Sequence, residues 1–255
     1  PNGETANFSK REAGWAYLPP FGPKAPPPAW ALTGPARPRP RAKAIPAEKA
    51  PVLDGNLGEA VWQQAPAAGG FVVNETWAED RSAKYPTEFR FAYDKDHLYM
   101  AVRCYDPNLE GLVTEMAGPA QGAGGDDHVT VYIDPGFYRQ AGRFGSWNFT
   151  AAGRDTGAYH RSGDMGKPIV TVRSGREPAG PSGRSAWTLE AAWPWEAVLH
   201  DSWQRDKIEK VRPGHRMGLN LTRHRAGPPV EHSVWSRCYA WPASRPWRWG
   251  VLIFE

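Results

Sequence analysis

Carboxylate and histidine side chains are the first candidates for chemistry in this sequence, and their spacing argues against catalysis. The seven histidines are scattered between His97 and His232 and show no tight metal-ligand spacing. Glu190 and Glu196 could supply the two carboxylates of a glycosidase, but the first falls on the outward phase of its predicted strand. The second lies in the next helical turn, so we expect both to be solvated. Because nucleophile-elbow, zincin, P-loop and dinucleotide motifs are also missing, the sequence predicts no enzymatic activity.

Aspartates supply the hard oxygen ligands that calcium prefers, and they give the sequence one candidate metal site. The predicted ligands are Asp54, Asp127 and Asp134. Asp126 precedes Asp127 directly, and neighbouring residues of a strand point to opposite faces, so at most one of the two can serve a given ion. A thiolate zinc ribbon and an iron–sulfur cluster are excluded, since the two cysteines form no C-x-x-C pair.

Proline content and charge divide the chain near residue 50. Residues 1–50 hold 11 of the 26 prolines and eight basic against three acidic residues, which leaves residues 51–255 with a net charge of −1. We therefore predict a Pro-rich basic extended arm over residues 1–50 and a folded domain over residues 51–255. Nucleic acid is not an expected partner, because the basic excess lies outside the domain. No apolar stretch reaches the roughly 18–20 residues of a membrane span.

The arm contains large aromatic side chains, which a solvated linker does not need. The candidates for an interface are Trp15, Tyr17, Phe21 and Trp30. They favour an arm that docks on its own domain or on a partner protein. A disordered linker is the alternative that composition alone favours.

Short runs of alternating apolar residues indicate β-strands throughout the domain. The strands are predicted at 89–93, 98–104, 129–133, 187–193, 217–221, 234–239 and 251–254. Helical periodicity is brief, at 57–64 and 195–199. Thirteen tryptophans and many Gly and Pro residues fit a chain of short strands and turns. The predicted fold is all-β, a two-sheet antiparallel β-sandwich of jelly-roll type with one or two short helices.

Six motifs, in order along residues 51–255, resemble family 9 carbohydrate-binding modules. They are PVLDGNLGEAVW at 51–62, FAYD with LYMAV within 91–102, DDHVTVYID at 126–134, WTLEAAWP at 187–194, MGLN at 217–220 and WGVL at 249–252. The resemblance implies a β-sandwich without catalysis and an exported protein, periplasmic or extracellular. It also implies a sugar held between two tryptophans, with structural calcium nearby. The arm has no counterpart in the family.

The resemblance further implies sugar contacts at particular positions. One of the two tryptophans is replaced here by glycine and alanine at 122–125, and the family's carboxylate on the acidic strand is Thr130. The second tryptophan matches Trp241 or Trp247, the family's sugar-contacting arginine falls near Asn148, and Trp77 is a candidate for the missing ring. The expected ligand-binding residues are therefore Trp241, Trp77, Asn148 and Trp247.

Two functions remain open from the sequence. The protein is either a glycan-binding module or a structural accessory subunit of a larger periplasmic or membrane-associated complex. In the second case it docks through its arm and a Trp/Arg-rich surface, with a degenerate sugar site. Cys104 and Cys238 either form a disulfide, as an exported protein permits, or stay as two buried thiols.

Overall fold

The computed structural model describes most of the predicted domain and none of the chain before residue 39. The described residues are 39–74, 81–115, 125–140, 144–156, 170–179, 183–199, 211–238 and 246–255. The arm side chains predicted to dock lie outside this part of the chain, as do Trp77 and Trp241. No helix within these ranges has the length and hydropathy to cross a membrane.

Strands dominate the described residues, and helices are short. The strands are β1 (Arg41–Pro46), β2 (Val72–Val73), β3 (Thr87–Tyr93), β4 (His97–Tyr105), β5 (His128–Asp134), β6 (Gly145–Thr150), β7 (Thr171–Glu177), β8 (Ala186–Pro194), β9 (Arg216–Arg225), β10 (Glu231–Val234) and β11 (Gly250–Phe254). Helix α1 (Ala60–Gln64) precedes β2, α2 (Trp195–Leu199) follows β8, and a 3-10 turn (Pro246–Arg248) precedes β11.

The strands form one continuous hydrogen-bonded sheet, which divides at β9 into two layers. One edge of β9 pairs with β11 through residues 216–219 and with β10 through residues 222–225, and its other edge pairs with β5. The first layer is therefore β6-β5-β9-β10-β2, and the second is β11-β1-β3-β4-β8-β7. The layers face each other, because Trp193 of β8 contacts Trp147 and Phe149 of β6 at ring-centroid distances of 5.6 and 5.4 Å. The predicted β-sandwich is confirmed.

The core between the layers is apolar and rich in aromatic rings. Alternation along β5 turns Val129, Val131 and Ile133 into it, and alternation along β3 does the same for Phe89 and Phe91. The fully buried tryptophans are Trp62, Trp147, Trp187, Trp193 and Trp249. Much of the high tryptophan content therefore stabilises the sandwich by removing large apolar surfaces from water.

Strand β1 corrects the predicted boundary between arm and domain at residue 50. It lies inside the sheet, parallel to both of its neighbours, β11 and β3. Ala44 is fully buried opposite Phe254 and Phe91, and a small side chain fits between those rings. Alternation of alanine with Arg41 and Lys43 gives only a weak apolar signal, which the surrounding prolines hide. The folded domain thus includes residues 41–46, and β1 is the exception to the antiparallel pairing among the described strands.

The other differences concern strands with weak patterns. The strand predicted at 234–239 lies instead at Glu231–Val234, and β2, β6 and β7 were not predicted. The edge strand β7 buries only Val172, and its other side chains are exposed or partly buried, so it has few apolar positions. The helix predicted at 195–199 is confirmed, and the one at 57–64 is shorter, Ala60–Gln64.

Candidate functional site

The face of the first layer that points away from the core carries a band of polar side chains. Because Val129 and Val131 turn inward, Thr130 turns to the opposite face of β5. Thr130 lies directly opposite Asn148 of β6 on one side and Thr222 of β9 on the other. The register therefore places three hydrogen-bonding side chains in a row across three strands.

Asn148 and Thr130 hydrogen-bond to each other in the middle of this band. The Thr130 hydroxyl donates to Asn148 Oδ1 at 2.7 Å, and both residues are buried. The structure thus brings together the positions that match the family's sugar-contacting arginine and its carboxylate. Part of their hydrogen-bonding capacity is already used within the protein.

A row of three histidines extends the polar band at one end. His128 of β5 and His232 of β10 both lie opposite His224 of β9. The ring centroids of His128 and His224 are 5.0 Å apart, and those of His224 and His232 are 4.3 Å apart in a stacked arrangement. These residues are far apart in the sequence, so only the strand register reveals the row.

The histidines of this row are held in their neutral form. Burial lowers the pKa of His128 to about 4 and that of His224 to about 3, and it also lowers the pKa of His232. The Nδ1 atoms of His224 and His232 are 3.0 Å apart, and His128 Nδ1 donates to the Asp126 carbonyl oxygen at 2.8 Å. At neutral pH the row offers uncharged donors and acceptors, which suit hydroxyl groups.

The band becomes aromatic toward the end of β5. Tyr132 contacts Trp249 and Phe144 at centroid distances of 5.5 and 6.2 Å, and Phe144 and Trp249 are 4.9 Å apart. Cys238 is buried in the same cluster. Trp247, in the adjacent 3-10 turn, leaves 46% of its surface exposed. Of the predicted ligand-binding residues, Trp247 therefore offers an exposed ring here and Asn148 lies in the polar middle of the band.

The predicted calcium ligands lie in separate parts of the fold. Asp54 is exposed and accepts from the Asn56 amide. The other two are buried, and each caps a nearby loop: Asp127 accepts from the amides of Val113 and Ala226, and Asp134 from those of Tyr138 and Arg139. Among the described residues, no group of three or more His, Cys, Asp or Glu side chains could hold a metal ion. The three aspartates are thus not assembled, and calcium binding stays a prediction.

Glu190 is buried, so the expectation that it is solvated was wrong. Its Oε1 accepts from Trp62 Nε1 at 2.7 Å, and its Oε2 accepts from the amides of Gly55 and Asp54 at 2.8 and 3.0 Å. The chain from 53 to 64 covers the outer side of β8, which alternation along β8 alone cannot reveal. Glu190 therefore anchors the opening motif, and Glu196 is exposed as predicted.

Gly55 allows that anchor to form. Its φ of +86° lies in the left-handed region, and a Cβ there would come within 2.5 Å of the Ser174 backbone. Gly175 faces it from β7, and a Cβ at that position would meet the Gly55 carbonyl oxygen at 2.5 Å. The Asp-Gly of the opening motif is therefore explained by packing.

A buried ion network joins the two layers. Asp106, which follows β4, accepts from Arg225 Nε at 2.7 Å and from Arg223 Nη2 at 3.3 Å. Arg223 Nη1 also donates to the carbonyl oxygens of Tyr85 and Tyr105. All three charged side chains are almost completely buried. No sequence pattern predicts this network, because Asp106 lies more than 100 residues from both arginines.

Cys104 and Cys238 are both buried thiols, in different clusters, and they do not form a disulfide, so the second of the two alternatives left by the sequence holds. Burial raises the pKa of Cys104 to about 11, so its thiol is protonated and unreactive at neutral pH.

The comparisons with known proteins agree with this geometry. The family model described as carbohydrate family 9 binding domain-like matches residues 53–227. Two similar solved structures are of a family 9 carbohydrate-binding module from Caldicellulosiruptor kristjanssonii. The cellotriose complex has a TM-score of 0.58 and 15% identity and covers 84% of this chain and 93% of that one. The glucose complex has the same TM-score and 14% identity and covers 84% and 95%.

A third structure, from Bacteroides uniformis, has a TM-score of 0.58 and 15% identity and covers 85% of this chain and 100% of that one. No curated protein matches the chain. At these identities the solved structures show a common fold, whereas the family model spans more than half of the sequence. The chain belongs to the carbohydrate family 9 binding domain-like family.

Proposed function

We propose that the protein is a non-catalytic glycan-binding module that acts outside the cytoplasm, in the periplasm or extracellularly. Family membership carries the proposal. The similar module from Caldicellulosiruptor kristjanssonii was solved with cellotriose and with glucose, which supports a saccharide as the ligand. The carboxylates that a glycosidase would need give no support to hydrolysis, since the oxygens of Glu190 accept three internal N–H groups.

The sugar would bind along the outward face of the first layer. The exposed indole of Trp247 supplies a stacking surface, and ring stacking contributes about 1 kcal/mol beyond area burial. The partly exposed side chains of Thr222 and His224 supply neutral hydrogen-bonding groups for hydroxyls. Trp241 and Trp77 belong to the proposal as further rings.

Calorimetric titration with glucose and cellotriose tests this proposal. We expect millimolar or tighter binding, weakened at least about tenfold in Trp247→Ala and in Trp241→Ala, because each variant removes a stacking ring. Val52→Ala is the matched control, since Val52 is 58% exposed and lies in the opening motif, away from this face. Chromatography of the titrated sugar should recover it unchanged. Failure of both sugars to bind, or their hydrolysis, would refute the proposal.

A specific contact favours a second candidate function, that of a structural accessory subunit. Thr130 replaces the expected carboxylate, and its hydroxyl is bonded to Asn148 rather than free for a ligand. In this alternative the Pro-rich arm docks on a partner protein. Deleting residues 1–38, which spares β1, would then abolish co-purification of a defined partner while the sandwich still melts cooperatively. Sugar binding lost in Trp247→Ala would argue for the first function instead.

A further inference from the structure

The loop after β5 holds Arg139 in a strained and defined position. Phe137 and Arg139 have φ of 54° and 57°, in the left-handed region that residues other than glycine rarely adopt. The buried carboxylate of Asp134 enforces this conformation, since it accepts from the amides of Tyr138 at 3.0 Å and Arg139 at 2.6 Å. Such strain persists only where the surroundings impose it, and it is common at ligand sites.

The guanidinium of Arg139 has a donor without an acceptor. Its Nη1 contacts the carbonyl oxygens of Trp247 and Trp249 at 3.3 and 3.4 Å, and its carbon lies 4.0 Å from the centroid of the Phe137 ring. Its Nη2 is buried and has no partner among the described residues. A buried donor of this kind is costly, and a ligand that accepts from it would remove the cost.

Two guanidinium groups, those of Arg39 and Arg139, share this place with one carboxylate, that of Asp134. Burial and then the charge of Arg39 lower the pKa of Arg139, and only Asp134 opposes them. Arg39 is brought to this end of the sheet by Pro40, whose carbonyl oxygen accepts from the Val251 amide at 3.0 Å. A nearby anion would therefore be attracted, and a guanidinium binds a carboxylate through directed N–H donors.

We infer that Arg139 and Trp247 form a subsite for an acidic sugar, a uronic acid residue within a glycan. The Arg139 Nη2 group binds the sugar carboxylate, and the exposed indole of Trp247 stacks on the pyranose ring. The exposed ring favours a sugar over an acidic peptide, which has no use for a flat stacking surface. This inference rests on the proposed function and names its ligand class.

A matched pair of trisaccharides tests the inference by calorimetry. Cellotriose and cellotriouronate share the same chain and differ only at each C6, where the uronate has a carboxylate in place of the hydroxymethyl group. We expect the uronate to bind about tenfold more tightly at low salt and to lose this advantage as the salt concentration rises. Arg139→Gln should abolish the preference, so that this variant binds the two trisaccharides with equal affinity. Arg139→Lys should retain only part of it, because it keeps the charge and loses the planar fork.

Arg173→Gln is the control, since Arg173 is an exposed arginine on the distant edge strand β7. It should keep the uronate preference, and equal melting temperatures would show that all variants are folded. Equal binding of the two trisaccharides by the unaltered protein would overturn this inference and leave the proposed function intact. A preference that survives in Arg139→Gln would overturn it too, as would binding of polyglutamate in place of the uronate. If neither sugar binds, both proposals fail.

Discussion

Glu190 accepts three N–H groups with two oxygen atoms, so a neutral isostere cannot replace it. Glutamine would present its own NH₂ group to at least one of these donors. We expect Glu190→Gln to lower the free energy of unfolding by about 2–3 kcal/mol, since a hydrogen bond to a charged group contributes about 1.5–3 kcal/mol. Urea unfolding at pH 7 measures this. Glu196→Gln, on the exposed side of α2, should change it by less than about 0.5 kcal/mol; similar losses in the two variants would contradict the assignment.

The histidine row makes the folded protein less stable at acidic pH. The pKa of each of the three imidazoles is lower in the folded chain than the ordinary 6.5, so the unfolded chain binds more protons below that value. The contribution of the row to the free energy of unfolding is therefore fully present above about pH 6.5, and it is lost progressively on acidification. For His128, with a pKa of about 4, the loss at pH 5 is about 2 kcal/mol.

His224→Gln tests this dependence, because it removes the central imidazole of the row. We expect the drop in unfolding free energy between pH 7.5 and pH 5 to be smaller by about 1–2 kcal/mol than in the unaltered protein. His97→Gln, on β4 outside the row, is the control and should show the full drop. An unchanged drop in His224→Gln would rule out the row as its source.

For single residues, the sequence predicts which side chains face the core better than it predicts which residues they contact. The alternation of a single strand is enough to turn Cys104 into the core and Thr130 away from it. The histidine row, the Asp106 network and the burial of Glu190 depend on which strands and segments come together across long separations. Trp77 and Trp241 lie outside the described residues, so the resemblance alone supports their roles.

At the scale of elements, β1 is the strand on which the second layer depends. It pairs on both sides, and its removal would expose unpaired edges on β3 and β11 and open a gap beside Phe91 and Phe254. A chain starting at Pro51 should therefore lose its cooperative thermal transition in circular dichroism. A chain starting at Arg39 should keep it. A chain starting at Pro51 that melts normally would show that β1 is dispensable.

Element prediction succeeded where apolar alternation is strong and failed where it is weak. The hairpin of β3 and β4 and the long strand β8 have bulky core residues at every second position, so their bounds were found closely. Strand β1 turns only alanines into the main core, and β7 turns only Val172 into it. Their strand conformation is imposed by neighbours in the sheet, which local sequence does not show.

At the scale of the whole molecule, Asp106 connects the two layers. Its carboxylate forms ion pairs with Arg223 and Arg225, so removing its charge would take from two buried guanidinium groups the anion that pairs with them. We expect Asp106→Asn to lower the free energy of unfolding by about 3–5 kcal/mol. Asp96→Asn should cost less than about 1 kcal/mol, because the ion pair of Asp96 with Lys95 is exposed. Chemical denaturation compares the two, and a mild effect of Asp106→Asn would mean that the arginines find other partners.

The parallel pairing of β1 with β11 has a practical consequence for attaching the molecule to a surface. The Pro40 carbonyl meets Val251 at one end of this pair, close to Trp247, and the Glu255 amide meets the Ala44 carbonyl at the other. Glu255 is four residue steps from Val251, a distance of about 13 Å in an extended strand. A tether joined after Glu255 would leave the exposed Trp247 ring accessible to a long polysaccharide. A tether joined directly to Arg39 would lie close to this ring and obstruct it.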